Sequence, residues 1–185
     1  MSDILLTDGI VKIKNMFDPN VSKLIQKYTD KKAKEQMETV GRKDFLSQRN
    51  VLGYHLGRST PSDIWIYNLI RNEITRLYLY YKAKFPLSTN IQINQIDLLK
   101  YKKGGFYKHH TDDSSTTPRK VSIIINLNDD FEGGELNFYD QKQNVIEQVK
   151  PFKNSITFFP STYLYPHSVE PVKKGVRYSI VSWLN

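Results

Sequence analysis

Residues 119–139 read RKVSIIINLNDDFEGGELNFY. A β-branched run over 121–125 is broken by the Asn/Asp cluster at 126–130 and by Gly133-Gly134, and a second apolar and aromatic run follows over 136–139. Branched and aromatic side chains favour the pleated chain, and Asn, Asp and Gly favour turns, so the stretch predicts two strands joined by a turn. Similar runs lie on both sides: NIQINQIDLLKY (90–101), SITFF (155–159) and RYSIVSWL (177–184). No helical pattern separates them, which favours an antiparallel sandwich or jelly roll over alternating strands and helices.

Upstream the pattern changes. Asp18-Pro19 is a helix start, with Val21, Leu24, Ile25 and Tyr28 recurring at helical spacing behind it. Thr60-Pro61-Ser62-Asp63 is a second start, leading into Ile66, Leu69, Ile70, Ile74, Leu77 and Tyr81. Between them, Thr39 to Ser59 has no sustained period and reads as a long loop or a short hairpin. Segments of that length are uncommon unless functional, which predicts a mobile lid. The expectation is a single α+β domain over 1–185, with 1–89 as helical N-terminal support and lid and 90–185 as a jelly-roll catalytic core.

The 185 residues are enough for one buried core, and 39% hydrophobic with 25% charged is ordinary globular composition. Cysteine is absent, which excludes disulfides, thiolate metal sites and a cysteine nucleophile, and leaves His and carboxylates as metal ligands. The apolar run in MSDILLTDGIVKIK is too short for a signal peptide, and no stretch reaches membrane-spanning length. A soluble, cytoplasmic protein with no membrane partner is the expectation. The net charge of +8 could attract nucleic acid, but lysines on solvated faces explain it more simply, and nucleic acid is the less favoured partner. Oligomeric state is not legible.

Of the four histidines, His109, His110 and His167 fall in the β half. His110 and Asp112 are two residues apart, so an extended strand projects both from one face, where they can grip one ion. With His167 they make two histidines and one carboxylate, the facial set that leaves open positions on Fe(II). Surface or satisfied core histidines are the competing reading. Arg177 follows His167 by ten residues at the start of a strand. Its guanidinium could hold a dicarboxylic co-substrate by two parallel hydrogen bonds, the competing reading being an ordinary surface arginine.

The stretch LLKYKKGGFYKHHTDD, with Tyr101, Gly104, Tyr107, His110 and Asp112 in register, resembles the prolyl 4-hydroxylase family of 2-oxoglutarate and iron(II) dependent dioxygenases. RKVSIIINLNDDFEGGELNFY resembles their strand and Gly-Gly-Glu hairpin, and FFPSTYLYPHSVEPVKKGVRYSIVSW their closing segment. The resemblance covers about half the chain. It implies a double-stranded β-helix (jelly-roll) core with the N-terminal helices packed against it, and Fe(II), 2-oxoglutarate and O2 as cofactors, with ascorbate as an optional addition. It implies that His110, Asp112 and His167 are the metal and catalytic ligands, that Arg177 and Tyr101 bind 2-oxoglutarate, and that Arg119 and Trp183 shape the substrate site. The implied reaction couples decarboxylation of 2-oxoglutarate to succinate with hydroxylation of a C–H bond, most simply of proline in a peptide or protein. Hydroxylation of lysine, a free amino acid or a nucleobase is the alternative, and a jelly roll that only binds is a third. Two positions depart from relatives: Arg177 where the collagen-type branch has lysine, and Asn126 where an aromatic residue is common.

Overall fold

The structure, a computed structural model, describes residues 3–7, 9–38, 45–85, 92–113, 116 and 118–185. The first half runs β1 (Asp3–Thr7), β2 (Ile10–Lys14), α1 (Pro19–Lys32), β3 (Glu35–Gln36), β4 (Arg49–Asn50), β5 (Leu52–His55) and α2 (Pro61–Lys84). The second half runs β6 (Ile93–Tyr101), β7 (Phe106–His110), β8 (Val121–Asn126), β9 (Glu132–Gly133), β10 (Leu136–Tyr139), β11 (Val145–Val149), β12 (Ser155–Pro160), β13 (His167–Val169), β14 (Val172–Lys174) and β15 (Arg177–Leu184).

Both helices begin where their start signals sit. The Asp18 carboxylate accepts from Asn20 N at 2.9 Å and the Thr60 hydroxyl from Asp63 N at 3.1 Å, in each case satisfying a donor that the first turn leaves free, with a proline at the first helical position. Ile66, Ile70, Ile74, Leu77 and Tyr81 form the buried stripe of α2. Each such apolar side chain taken from water contributes about 1.5–3 kcal/mol, so it is this stripe, more than propensity, that holds the helix in place.

The strands form two facing antiparallel sheets, the jelly-roll arrangement. The larger has the order β1-β2-β12-β8-β15-β6-β5-β3, the smaller β11-β10-β13-β7-β4, and β14 pairs separately with β9. Because side chains alternate along a strand, the large sheet has two different faces. Ile96, Leu98, Ile123, Ile125, Ile180 and Leu184 point outward and pack under α1 and α2. Leu99, Tyr101 and Ile124 point inward and pack with Leu136, Phe138 and Val169 of the small sheet. A strand buried on both faces loses its alternation, which is why 121–126 reads as one apolar run, broken only by Ser122 and Asn126.

Two expectations are corrected by the pairing. The first half is not only helical: β2 pairs with β12 and buries Ile10, Val11 and Ile13. Nor are the described residues of the 39–59 segment a free lid, because β5 pairs with β6 across the large sheet and β4 with β7 at the edge of the small one. Residues 39–44 of that segment lie outside the described residues. Among the described residues no helix is long and apolar enough to cross a membrane.

Candidate functional site

Strand β7 ends in His110 and β13 begins with His167, and the two residues are direct cross-strand partners. That pairing places both imidazoles at one end of the small sheet, with ring centroids 4.2 Å apart. Asp112, just beyond β7, turns one carboxylate oxygen to each ring: Oδ1 lies 3.5 Å from His110 Nε2 and Oδ2 lies 3.5 Å from His167 Nε2. The three ligand atoms all fall within 4.8 Å of one another. Donors that bind one ion at about 2.1 Å at right angles lie about 3 Å apart, so only a small contraction would close this set on a metal.

The rings are oriented for that task. His110 Nδ1 donates to Lys108 O at 2.8 Å and His167 Nδ1 to Tyr165 O at 3.1 Å, and since a carbonyl can only accept, each Nδ1 must carry the proton. Both Nε2 lone pairs are then free and aimed at Asp112. Burial, aided by the neighbouring His110, pushes the His167 imidazole down to about 4, so it is a neutral ligand at ordinary pH. Burial alone would raise the Asp112 carboxyl, but His167 and His110 in their protonated forms, with the Ser122 hydroxyl, outweigh it and hold the group well below the usual carboxylate range, so it is ionised before the histidines lose their protons.

Facing these three across one cavity of about 540 Å³ is Arg177, the first residue of β15. It is 1% exposed, and among the described residues no carboxylate makes an ion pair with it. Its Nη2 donates to Asn126 Oδ1 at 3.0 Å, its Cζ lies 5.0 Å from the Tyr101 ring centroid, and its Nε is buried without a partner. Asn126, the departure noted above, is thus what seats the guanidinium. Burial lowers the Arg177 pKa from its ordinary value, yet arginine keeps its proton, so the site holds a buried cation with spare donors. Gly134, at φ +67, lets the chain pass: a Cβ there would sit 3.0 Å from Arg177 Cδ. Such a site suits a carboxylate, and together with the donor set opposite it the cavity fits iron(II) with 2-oxoglutarate.

The remaining expected residues, Tyr101, Arg119 and Trp183, line the same cavity. Arg119 lies over Trp183, Cζ 3.6 Å from the ring centroid, and its Nη1 donates to Asp112 O at 3.3 Å. Trp183 Nε1 is buried without a partner. Several contributors escaped the sequence reading. Ser122 donates to Asp112 Oδ2 at 2.7 Å, Asp97 and Gln95 lie on the inward face of β6, and Arg49 enters from β4. Ser122 left a trace, a polar residue inside an apolar run. Arg49 was legible only as one of the arginines of the 39–59 segment expected to close over a substrate, because strand pairing alone brings it into this cavity.

Comparison with known proteins agrees with this geometry. Residues 96–185 match the model of the 2OG-Fe(II) oxygenase superfamily. A PKHD-type hydroxylase of Idiomarina loihiensis is 32% identical over 97 residues, covering 50% of this chain and 43% of that protein, so the chain spans less than half of this relative. Among solved structures, a Pseudomonas putida prolyl-4-hydroxylase superposes with a TM-score of 0.74 at 17% identity, over 96% of this chain and 92% of that one. A prolyl hydroxylase from Trichoplax adhaerens, in complex with a hypoxia inducible factor oxygen degradation domain peptide fragment, gives 0.79 at 19% identity, over 96% and 84%. At those identities the likeness is one of fold.

Proposed function

Since residues 96–185 match the model of the 2OG-Fe(II) oxygenase superfamily and the chain has the fold of prolyl hydroxylases, we propose that it hydroxylates a prolyl residue of a peptide or protein. The overall change would be R–H, O2 and 2-oxoglutarate to R–OH, succinate and CO2. The observation that carries the reading is a buried cation, Arg177, with no ion-pair partner among the described residues, across one cavity from a preoriented His-Asp-His set.

On this reading His110, Asp112 and His167 hold iron(II), which when bound supplies the oxidising chemistry that amino-acid side chains lack. Arg177 would hold the far carboxylate of 2-oxoglutarate through its spare N–H donors, with Tyr101 beside it. Leu99, Ile124, Val169 and Val181 form apolar wall around the reacting centre and keep water away from it. Trp183 offers a flat face and a free Nε1–H to the target ring, and Arg119 fixes the plane of that indole.

The test is anaerobic reconstitution with Fe(II) and 2-oxoglutarate, then exposure to O2 with proline-rich peptides, free amino acids or nucleic acid. Succinate release that depends on a peptide, with one oxygen gained on proline by mass spectrometry, is the expected result. Oxygen gained only on a free amino acid or a base would replace the prolyl reading. In the same assay Arg177→Lys is expected to raise the 2-oxoglutarate requirement about tenfold or more while leaving iron binding unchanged, because a point charge loses one of two hydrogen bonds. An unchanged requirement would put the co-substrate anchor elsewhere.

A further inference from the structure

Two arginines that hold neither the metal nor 2-oxoglutarate converge on the rim of the cavity. Arg49 of β4 is the cross-strand partner of Tyr107, and its guanidinium lies over that ring with Cζ 4.4 Å from the centroid. Tyr107 in turn stacks on the ligand-set residue His110, centroids 3.6 Å apart and planes within 17°. Arg119 lies over Trp183 on β15 and is held to the Asp112 carbonyl. Both guanidiniums line the same cavity, and the positive charge of Arg49 acts on Arg119.

Like charges brought together cost free energy unless something negative separates them. Asp112 and Asp97 act on Arg119 more strongly than Arg49 does, and Glu38 also lines the cavity, but no carboxylate of the described wall is paired with either guanidinium. Neither guanidinium has a carboxylate in ion-pair contact among the described residues. The neighbouring acids are engaged elsewhere: Asp97 with His55 Nδ1 at 2.8 Å and Gln95 Nε2 at 2.7 Å, and Asp112 with the two histidines and Ser122. Among the described residues Arg49 makes a long hydrogen bond to Glu38 O at 3.4 Å, and its buried Nε has no partner. Each guanidinium sits over an aromatic ring, an attraction that restrains it beside the cavity while most of its N–H donors remain for an anion.

We propose that Arg49 and Arg119 form a carboxylate subsite that selects a substrate with an acidic group beside the residue to be hydroxylated. The source of the carboxylate is an Asp or Glu side chain flanking the target, or the free C-terminus of a chain ending there. The inference rests on the hydroxylase reading above but concerns binding, so the two can fail separately.

The test uses the full chain loaded with Mn(II) and 2-oxoglutarate in a Trp65→Phe background, which leaves Trp183 as the sole tryptophan reporter. Peptides with Glu or Gln on either flank of a central proline, and peptides ending at proline with a free or amidated C-terminus, are titrated by fluorescence. Carboxylate peptides are expected to bind about tenfold more tightly than their neutral twins, and the ratio is expected to fall to about two or less in Arg49→Gln and at high salt. Whichever pair shows the preference identifies the source. Equal affinities in all pairs, or a preference that survives Arg49→Gln, would overturn the subsite. Oxygen gained on proline under iron is read separately: acid-selective binding without it keeps the subsite and removes the prolyl reading, and proline oxidation without acid preference does the reverse.

Discussion

Ser122 illustrates how one hydroxyl can govern a site it never enters. It donates to Asp112 Oδ2 at 2.7 Å and shares a second 2.7 Å contact with the Ser161 hydroxyl, and all three residues are buried. With that donor present, the oxygen that faces His167 is oriented and its negative charge is stabilised. Ser122→Ala leaves the fold intact, because Cβ keeps the packing, but frees the carboxylate to rotate. Loss of such an outer partner typically weakens metal affinity 10–100-fold, and a drop of about tenfold in Fe(II) or Mn(II) affinity by titration is expected here. An unchanged affinity would show that His110 and His167 alone set the position of Asp112.

Between elements, Asp63 is the tie. This residue in the first turn of α2 is 0% exposed, and it accepts hydrogen bonds from Thr60 of its own cap at 2.6 Å, from Tyr28 of α1 at 2.6 Å and from Tyr54 of β5 at 3.2 Å. Lys32 of α1 lies 3.4 Å away. Burial would raise this carboxyl, but the Thr60 and Tyr28 hydroxyls and Lys32 outweigh it and bring it down to about 2. A carboxyl whose pKa is lower folded than unfolded stabilises the fold above its unfolded value and loses that stabilisation as pH falls through the folded one. The contribution of Asp63 is therefore complete above about pH 4 and fades towards pH 2. Asp63→Asn is expected to cost about 2 kcal/mol at pH 7, the scale of hydrogen bonds to a charged group, and the gap from wild type should narrow as the pH drops. Urea denaturation of both proteins across that range checks it, and a gap independent of pH would mean that the charge of Asp63 plays no part.

On the scale of the whole molecule, the family match begins at residue 96, yet the sheet it describes is covered by residues before it. The outward side chains Ile96, Leu98, Ile123, Ile125, Ile156, Phe158, Ile180 and Leu184 are all fully buried against α1, α2 and β2. Exposing them would cost on the order of 10–20 kcal/mol, comparable with or larger than the whole stability of a typical domain. A fragment of residues 92–185 is expected to aggregate or to lack a cooperative thermal transition, although it keeps every expected ligand. A soluble fragment that melts cooperatively would show that the sheets stand without the helices, and that the chain is not one folding unit.

The sequence by itself determined the elements and the set of residues that meet. Asp18-Pro19 and Thr60-Pro61 mark two helices, the runs after residue 90 mark the strands, and His110, Asp112, His167, Arg177, Tyr101, Arg119 and Trp183 all line one cavity. The elements were legible because caps and strand periodicity are local, and local chemistry is written in order along the chain. Tyr101, Arg119 and Trp183 were legible only through the resemblance of their motifs to those of prolyl 4-hydroxylases. Only the tertiary structure decided what the 39–59 segment and the N-terminus do. Strand β4 is two residues long and β5 four, too short to show a period, and both are held by partners found later in the chain, Tyr107 for Arg49 and Lys100 for Leu52. The same holds for the arginine pair at the cavity rim and for the absence of a carboxylate beside Arg177 in the described residues. Charge convergence is a property of distances in space, and side chains 70 residues apart carry no mark of it until the sheets close around them.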